Sequence, residues 1–249
     1  MKKIIVGMIA LLVTGIATAQ EFKVAKSSGR LNLHIGRVTV EGHGGNEIIF
    51  SSKDRDRDKD KRAEGLRAIN SLGLEDNTGL GINVTEKDGN VEVYQLKKMN
   101  SPDVKILVPK GVIVSFEHES QYGGEAVFKN MENEIEVSCQ YNSVELENVT
   151  GPLTVKAVYG GVDATFNQNV KGPISIVSIY GHVDVALPLA TKANLKMSTS
   201  YGEIFMAPEF KINVEGDDRD SDRVKGTING GGMNIDFRSD YGKIYLRKK

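Results

Sequence analysis

A tyrosine returns at a near-constant interval through the second half of this chain, and its neighbours return with it. The tyrosines are Tyr122, Tyr141, Tyr159, Tyr180, Tyr201 and Tyr241, with spacings of 19, 18, 21 and 21 residues and then 40, two intervals. Six residues before each stands an apolar side chain (Phe116, Ile135, Leu153, Ile174, Leu195, Ile235). Two before stands a small one (Ser120, Cys139, Ala157, Ser178, Thr199, Ser239). Three after comes Val144, Val162, Val183, Ile204 or Ile244, with Glu125 breaking the column in the first instance. An interval near 20 holds two short strands and two turns, and alternating apolar positions mark the buried face of each strand. The sequence therefore predicts an all-β, single-domain β-solenoid (β-helix-like) with about 20 residues per coil.

Strict alternation puts the tyrosines on the same face as the apolar columns. They are expected to form an inward structural ladder at a corner, Tyr122, Tyr141, Tyr159, Tyr180, Tyr201 and Tyr241, with the small residue two before each making room for the ring. The rival reading is an exposed aromatic strip that binds sugar rings. The Gly or Asn after each Tyr is read as tolerance of positive φ. Upstream, Leu31 to Val40 follows the same grammar with Ile35 in the place of Tyr, so the solenoid is expected to start near residue 22 and to run to the C-terminus as one domain.

Met1-Lys2-Lys3, the apolar run from Ile4 to Val13 and the closing Ala17-Thr18-Ala19 have the layout of a secretory signal, expected at 1–19 with domain residues 20–249 following. No other apolar segment is long enough to span a bilayer, so no transmembrane segment is expected in the mature chain. The charges nearly balance, 32 basic against 33 acidic, which gives no pull toward nucleic acid. With a single cysteine, Cys139, there is no intrachain disulfide. Two interruptions are expected as insertions: the sign-alternating loop 53–62 and the acidic loop 216–223. Residues 63–70 suggest a short helical turn. Ile82 to Leu96 reads as a hairpin turning at Asp88-Gly89, and Val104 to Val108 as a strand.

Candidate chemistry is sparse. Asp218, Asp220 and Asp222 have a spacing that suits calcium, but without the glycine and distal glutamate of an EF-hand. His34, His43, His118 and His182 lack metal-ligand spacing. Cys139, in the small interior column, reads as a space-filling residue. Nucleophile elbow, phosphate loop, dinucleotide fingerprint and zinc motif are all missing, so neither metal nor cofactor is expected and the chain reads as non-catalytic. Glu145, Glu147, Asp163 and Asp184 point outward. Asp163 and Asp184 fall at the same place in successive coils and are the candidate partner-binding pair, close enough to hold a cation or share a proton.

Several segments resemble the bacterial putative-adhesin family, a domain of unknown function with a β-solenoid fold. They are Gly65-Leu66-Arg67, Asp76 to Gly81, Val108-Pro109-Lys110, Leu187-Pro188, Gly226 to Gly232 and Tyr241 to Leu246, within a match from about Val38 to the C-terminus. Where that family often turns on Asn-Gly-Asp, this chain has Tyr-Gly. The resemblance implies the solenoid and a surface-binding role, and it brings no catalytic residues. The expectation is a periplasmic, secreted or cell-surface envelope protein that binds a surface glycan or an envelope protein. A polysaccharide-active β-helix enzyme using Asp163 and Asp184, and a structural or regulatory envelope protein, are the alternatives.

Overall fold

The computed structural model describes residues 21–52, 61–214 and 223–249. The expected signal segment, most of the 53–62 loop, and Asp218, Asp220 and Asp222 lie outside the described residues. Among the described residues there are 21 strands and no α-helix; 63–70 is loop apart from the end of a 3-10 turn, Lys61–Ala63. The first seven strands are β1 (Glu21–Val24), β2 (Ser28–His34), β3 (Val38–His43), β4 (Ile48–Ser52), β5 (Ile82–Lys87), β6 (Asn90–Gln95) and β7 (Val104–Pro109). Next come β8 (Gly111–His118), β9 (Glu125–Lys129), β10 (Ile135–Cys139), β11 (Ser143–Val149), β12 (Leu153–Ala157), β13 (Val162–Phe166) and β14 (Ile174–Ser178). The last are β15 (Val183–Leu187), β16 (Ala193–Thr199), β17 (Ile204–Met206), β18 (Ile212–Val214), β19 (Arg223–Ile228), β20 (Met233–Ser239) and β21 (Ile244–Lys248).

The strands form two sheets, ordered β1-β4-β7-β3-β9-β11-β13-β15-β21-β17 and β18-β19-β16-β20-β14-β12-β10-β8-β2-β6-β5. Through the middle, each coil gives one strand to each sheet and stacks in parallel on the next, as a β-solenoid requires. Ile135, Leu153 and Ile174 stand in one row and Val144, Val162 and Val183 in another. Both rows belong to a single buried cluster drawn from the two sheets. A fully buried Leu, Ile or Val contributes roughly 1.5–3 kcal/mol, and here every coil repeats that gain.

Sequence order and spatial order part company at both ends. The coil β2–β3 lies between β6–β7 and β8–β9. The coil β20–β21 lies between β14–β15 and β16–β17. The 40-residue step from Tyr201 to Tyr241 is therefore not two coils taken in order. The chain reaches the end of the stack, turns through antiparallel β18 and β19, and returns to fill a slot inside it.

The register also corrects two columns. Val137 pairs with Phe116 and Cys139 with His118, so the turn before Tyr122 holds two more residues than the turn before Tyr141. After the tyrosine, Ala126 rather than Glu125 sits beside Val144, and the apolar column is unbroken. Leu33 pairs with Phe116, which puts Ile35 in the small interior column and not in the tyrosine position; it is fully buried.

The hairpin forms as the sequence indicates, β5 and β6 in antiparallel register, with positive φ at Asp88 and Gly89. Just before it, the Asp76 carboxylate accepts hydrogen bonds from the Thr78, Gly79 and Gly81 amides and the Thr78 hydroxyl at 2.8–3.1 Å. That gives the Asp76 to Gly81 segment a structural purpose: one side chain satisfies a tight loop's donors.

Candidate functional site

The tyrosines lie on the outside. Tyr141, Tyr159, Tyr180, Tyr241 and Tyr201 follow one another along the corner with ring centroids 4.8, 5.1, 4.9 and 4.9 Å apart and planes within 7–19° of parallel. Their exposures run from 44% at Tyr141 to 75% at Tyr201. The inward ladder expected from alternation is thus overturned. Alternation holds only while the backbone stays extended; β10, β12 and β14 end two residues before the tyrosine, and the corner redirects the next side chains.

The small residue two before the ring does not make room for it. Ser178 Oγ donates to the Gly160 carbonyl at 2.9 Å and accepts from the Gly181 amide at 3.0 Å. Thr199 accepts from the Gly202 amide at 2.8 Å, and Ser239 donates to the Gly181 carbonyl at 2.8 Å. These hydroxyls tie the corner of one coil to itself and to its neighbour. The glycine after each tyrosine has a different cause as well. Gly160, Gly181, Gly202 and Gly242 do not have positive φ. A Cβ at Gly160 would collide with the Asn142 carbonyl, at Gly181 with that of Gly160, and at Gly242 with that of Gly181. Close approach of successive corners, not handedness, selects glycine.

Stacking is the direct result of that close approach. Tyr159, Tyr180 and Tyr241 donate backbone N–H bonds of 2.8–2.9 Å to the corner of the adjacent coil, so the rings inherit the spacing of the strands. Each interior ring uses both faces on its neighbours and presents its edge to solvent. No ladder hydroxyl has a partner among the described residues. Tyr122, 39% exposed, stacks on no other ring among the described residues and stands beyond the Tyr141 end of the row.

Beside the ladder, the outer face of the ten-stranded sheet is charged. Asp163 and Asp184 are direct register partners, yet each has its own cationic or imidazole neighbour. Arg247 clamps Asp184 through Nε and Nη2 at 2.7–2.9 Å, and His182 Nε2 lies 3.1 Å from both Asp163 oxygens. Arg247 also lies 5.2 Å over the Tyr245 ring, which stacks on Phe205 at 5.4 Å. Further along, a hydrogen bond that the protonated Glu145 carboxyl donates to Glu147, then burial and the Glu147 and Glu125 charges, push the Glu145 carboxyl up. Lys129 holds Glu147 below the usual carboxylate range, helped by Glu145.

Under the corner, His118 Nδ1 and Asn142 Oδ1 are 2.8 Å apart, and Asn142 Nδ2 donates to the Gly36 carbonyl at 2.8 Å. Cys139 sits beside them, its thiol pushed up to about 11 by burial. A thiol so rarely ionised is a poor nucleophile. No group of three or more His, Cys, Asp or Glu among the described residues could hold a metal ion. No helix among them is long and apolar enough to cross a membrane.

The fold, two sheets of parallel coils with intercalated terminal coils and a stacked corner, defines a β-solenoid. The chain belongs to the Toastrack DUF4097 family, whose model matches residues 82–247. Among solved structures it is similar to one described as a "putative cell adhesion protein" of Clostridium sporogenes, at 16% identity and a TM-score of 0.46, covering 93% of this chain and 100% of that one. It is also similar to a "putative adhesin" of Bacteroides fragilis, at 9% identity and a TM-score of 0.32, covering 94% and 98%. No curated protein matches the sequence.

Proposed function

We propose that this chain is a non-catalytic exported protein that binds an extended surface glycan along its tyrosine-bearing corner. The observation that supports this is the row of five exposed rings at 4.8–5.1 Å intervals, whose hydroxyls have no partner among the described residues. Such a row repeats the same donor and acceptor at each coil, which suits a polymer with a repeating hydroxyl pattern better than a single small molecule. Because the interior faces are already stacked, contact is made through ring edges and hydroxyls, with a free face only at the row's ends. Binding of neutral and acidic oligosaccharides, measured by calorimetry, is expected for the native chain. A Tyr159→Phe/Tyr180→Phe/Tyr241→Phe variant, which keeps the stack and removes three hydroxyls, is expected to weaken binding at least tenfold. Equal binding by the variant sinks the reading.

One observation favours a second role for the same residues. The ring faces are spent on each other, so the ladder also serves as a surface brace, as expected of a structural envelope protein. An enzyme built on Asp163 and Asp184 has less support, since Arg247 and His182 already face those carboxylates. Asp163→Asn/Asp184→Asn is expected to leave any glycan binding unchanged.

A further inference from the structure

The stacked row ends at Tyr141, and the corner of the next coil carries Tyr122. Val38 pairs with Ala126 on one side and with Val104 on the other, so the turn carrying Arg37 is flanked by the Tyr122 turn and by the loop that holds Met99 to Ser101. These three segments enclose an open cleft of about 340 Å³, lined by Arg37, Met99, Asn100, Ser101, Tyr122 and the adjacent Gly123-Gly124. The cleft lies in line with the ladder, one coil beyond it.

Its one charged side chain is Arg37. Arg30, Arg67, Arg238 and Arg247 each pair with a carboxylate. Arg37, like Arg223, is exposed and has no carboxylate partner among the described residues. The guanidinium is nonetheless placed: it lies against Gly124, where an added Cβ would come within 2.9 Å of Nε. The Arg37 backbone N–H donates to Ser101 Oγ at 3.0 Å, which leaves the Ser101 hydroxyl proton free for a ligand. Tyr122, alone among the corner tyrosines, has a ring that no other ring covers among the described residues.

We propose that this cleft binds a hexuronate residue of an acidic polysaccharide, with the polymer continuing along the tyrosine row. The carboxylate takes the guanidinium fork of Arg37, which matches it in two parallel hydrogen bonds. The C–H face of the sugar ring packs on Tyr122, and the Ser101 hydroxyl donates to a ring substituent. A protein C-terminus offers the same carboxylate but not the flat polyhydroxylated ring that Tyr122 and the adjoining hydroxyl row receive. This inference rests on the ladder reading for the polymer's direction, but the cleft makes its own demand, a carboxylate.

The test uses tetragalacturonate and the same tetramer with its carboxyl groups reduced, against the full chain, by calorimetry at fixed ionic strength. The acidic tetramer is expected to bind at least tenfold tighter than the reduced one. Arg37→Gln is expected to abolish that preference, and Arg37→Lys, which keeps the charge but not the fork, to restore only part of it. Arg37 is exposed, so these variants fold; Gly124→Ala, which displaces the guanidinium, is a second route to the same loss. Equal affinity for both tetramers, or a preference that survives Arg37→Gln, overturns the cleft while leaving the ladder reading intact. Absence of binding by either tetramer overturns both. Weaker binding by the triple Phe variant with the acidic preference retained is the result that supports both, and it separates the two contributions.

Discussion

Replacing Tyr159 by Ala removes two stacked contacts, with Tyr141 at 4.8 Å and Tyr180 at 5.1 Å. Replacing Tyr180 removes the second of these and the one with Tyr241 at 4.9 Å. An aromatic pair contributes about 0.5–1.5 kcal/mol beyond area burial, so each single variant loses about 1–3 kcal/mol of stacking. For a domain of this size each kcal/mol lowers the Tm by about 2–4 °C. The double variant loses three contacts rather than four, because the shared one is removed only once. A double-mutant cycle in urea is therefore expected to show a coupling of about 0.5–1.5 kcal/mol between Tyr159 and Tyr180. Tyr201, at the end of the row with one stacked neighbour, is expected to lose about half as much as either. Tyr159 and Tyr201, with two rings between them, are expected to be additive. Coupling within about 0.3 kcal/mol of zero for the adjacent pair refutes the stacking argument, whatever the single variants do.

Gly160→Ala sets a Cβ against the Asn142 carbonyl and is expected to destabilise by about 1–3 kcal/mol or more, whereas Gly44→Ala meets open space and changes stability by less than about 0.5. Equal urea midpoints for the two variants contradict the close-approach argument. Cys139 is expected to resist alkylation at pH 8 in the native chain and to react only on unfolding. Its thiol titrates near 8.5 when unfolded but at about 11 when folded. The folded state therefore keeps the proton longer, and the stability this confers is complete below about pH 8.5 and lost as pH rises through 11. Cys139→Ala, which reproduces the residue at 157, is expected to flatten that decline; an unchanged alkaline slope counts against it. Asp76→Ala leaves the Thr78, Gly79 and Gly81 amides without their acceptor and is expected to cost about 1.5–3 kcal/mol, read from the urea midpoint.

The repeat announced the solenoid because apolar columns at fixed offsets fit few architectures besides stacked coils. What it did not announce was direction and order. The tyrosine faces out because the chain bends between Cys139 and Tyr141, and no alternation rule carries a side chain's direction through a bend. The small hydroxyl residues and the glycines were visible as columns, but their causes, a hydrogen bond across the corner and a carbonyl from the next coil, exist only between coils. The intercalation of β20–β21 left only one trace, the doubled interval before Tyr241, and two ordinary coils taken in order would leave the same trace. Arg37 was silent altogether: it belongs to no column, and the cleft around it is assembled from three turns far apart in the chain.

That intercalation bears on how the molecule is made. In an ordinary solenoid the coils can be laid down in the order of synthesis, each on the one before. Here the coil that carries residues 233–248 must enter between two others that precede it in the chain. Until it arrives, β14 and β16 have no common neighbour, and the row of tyrosines is broken between Tyr180 and Tyr201. A nascent or truncated chain therefore presents unpaired strand edges, open to degradation or to wrong pairing. Assembly waits on the strands that leave the ribosome after all the coils they separate, so a closed stack is its own record that translation ran through β21.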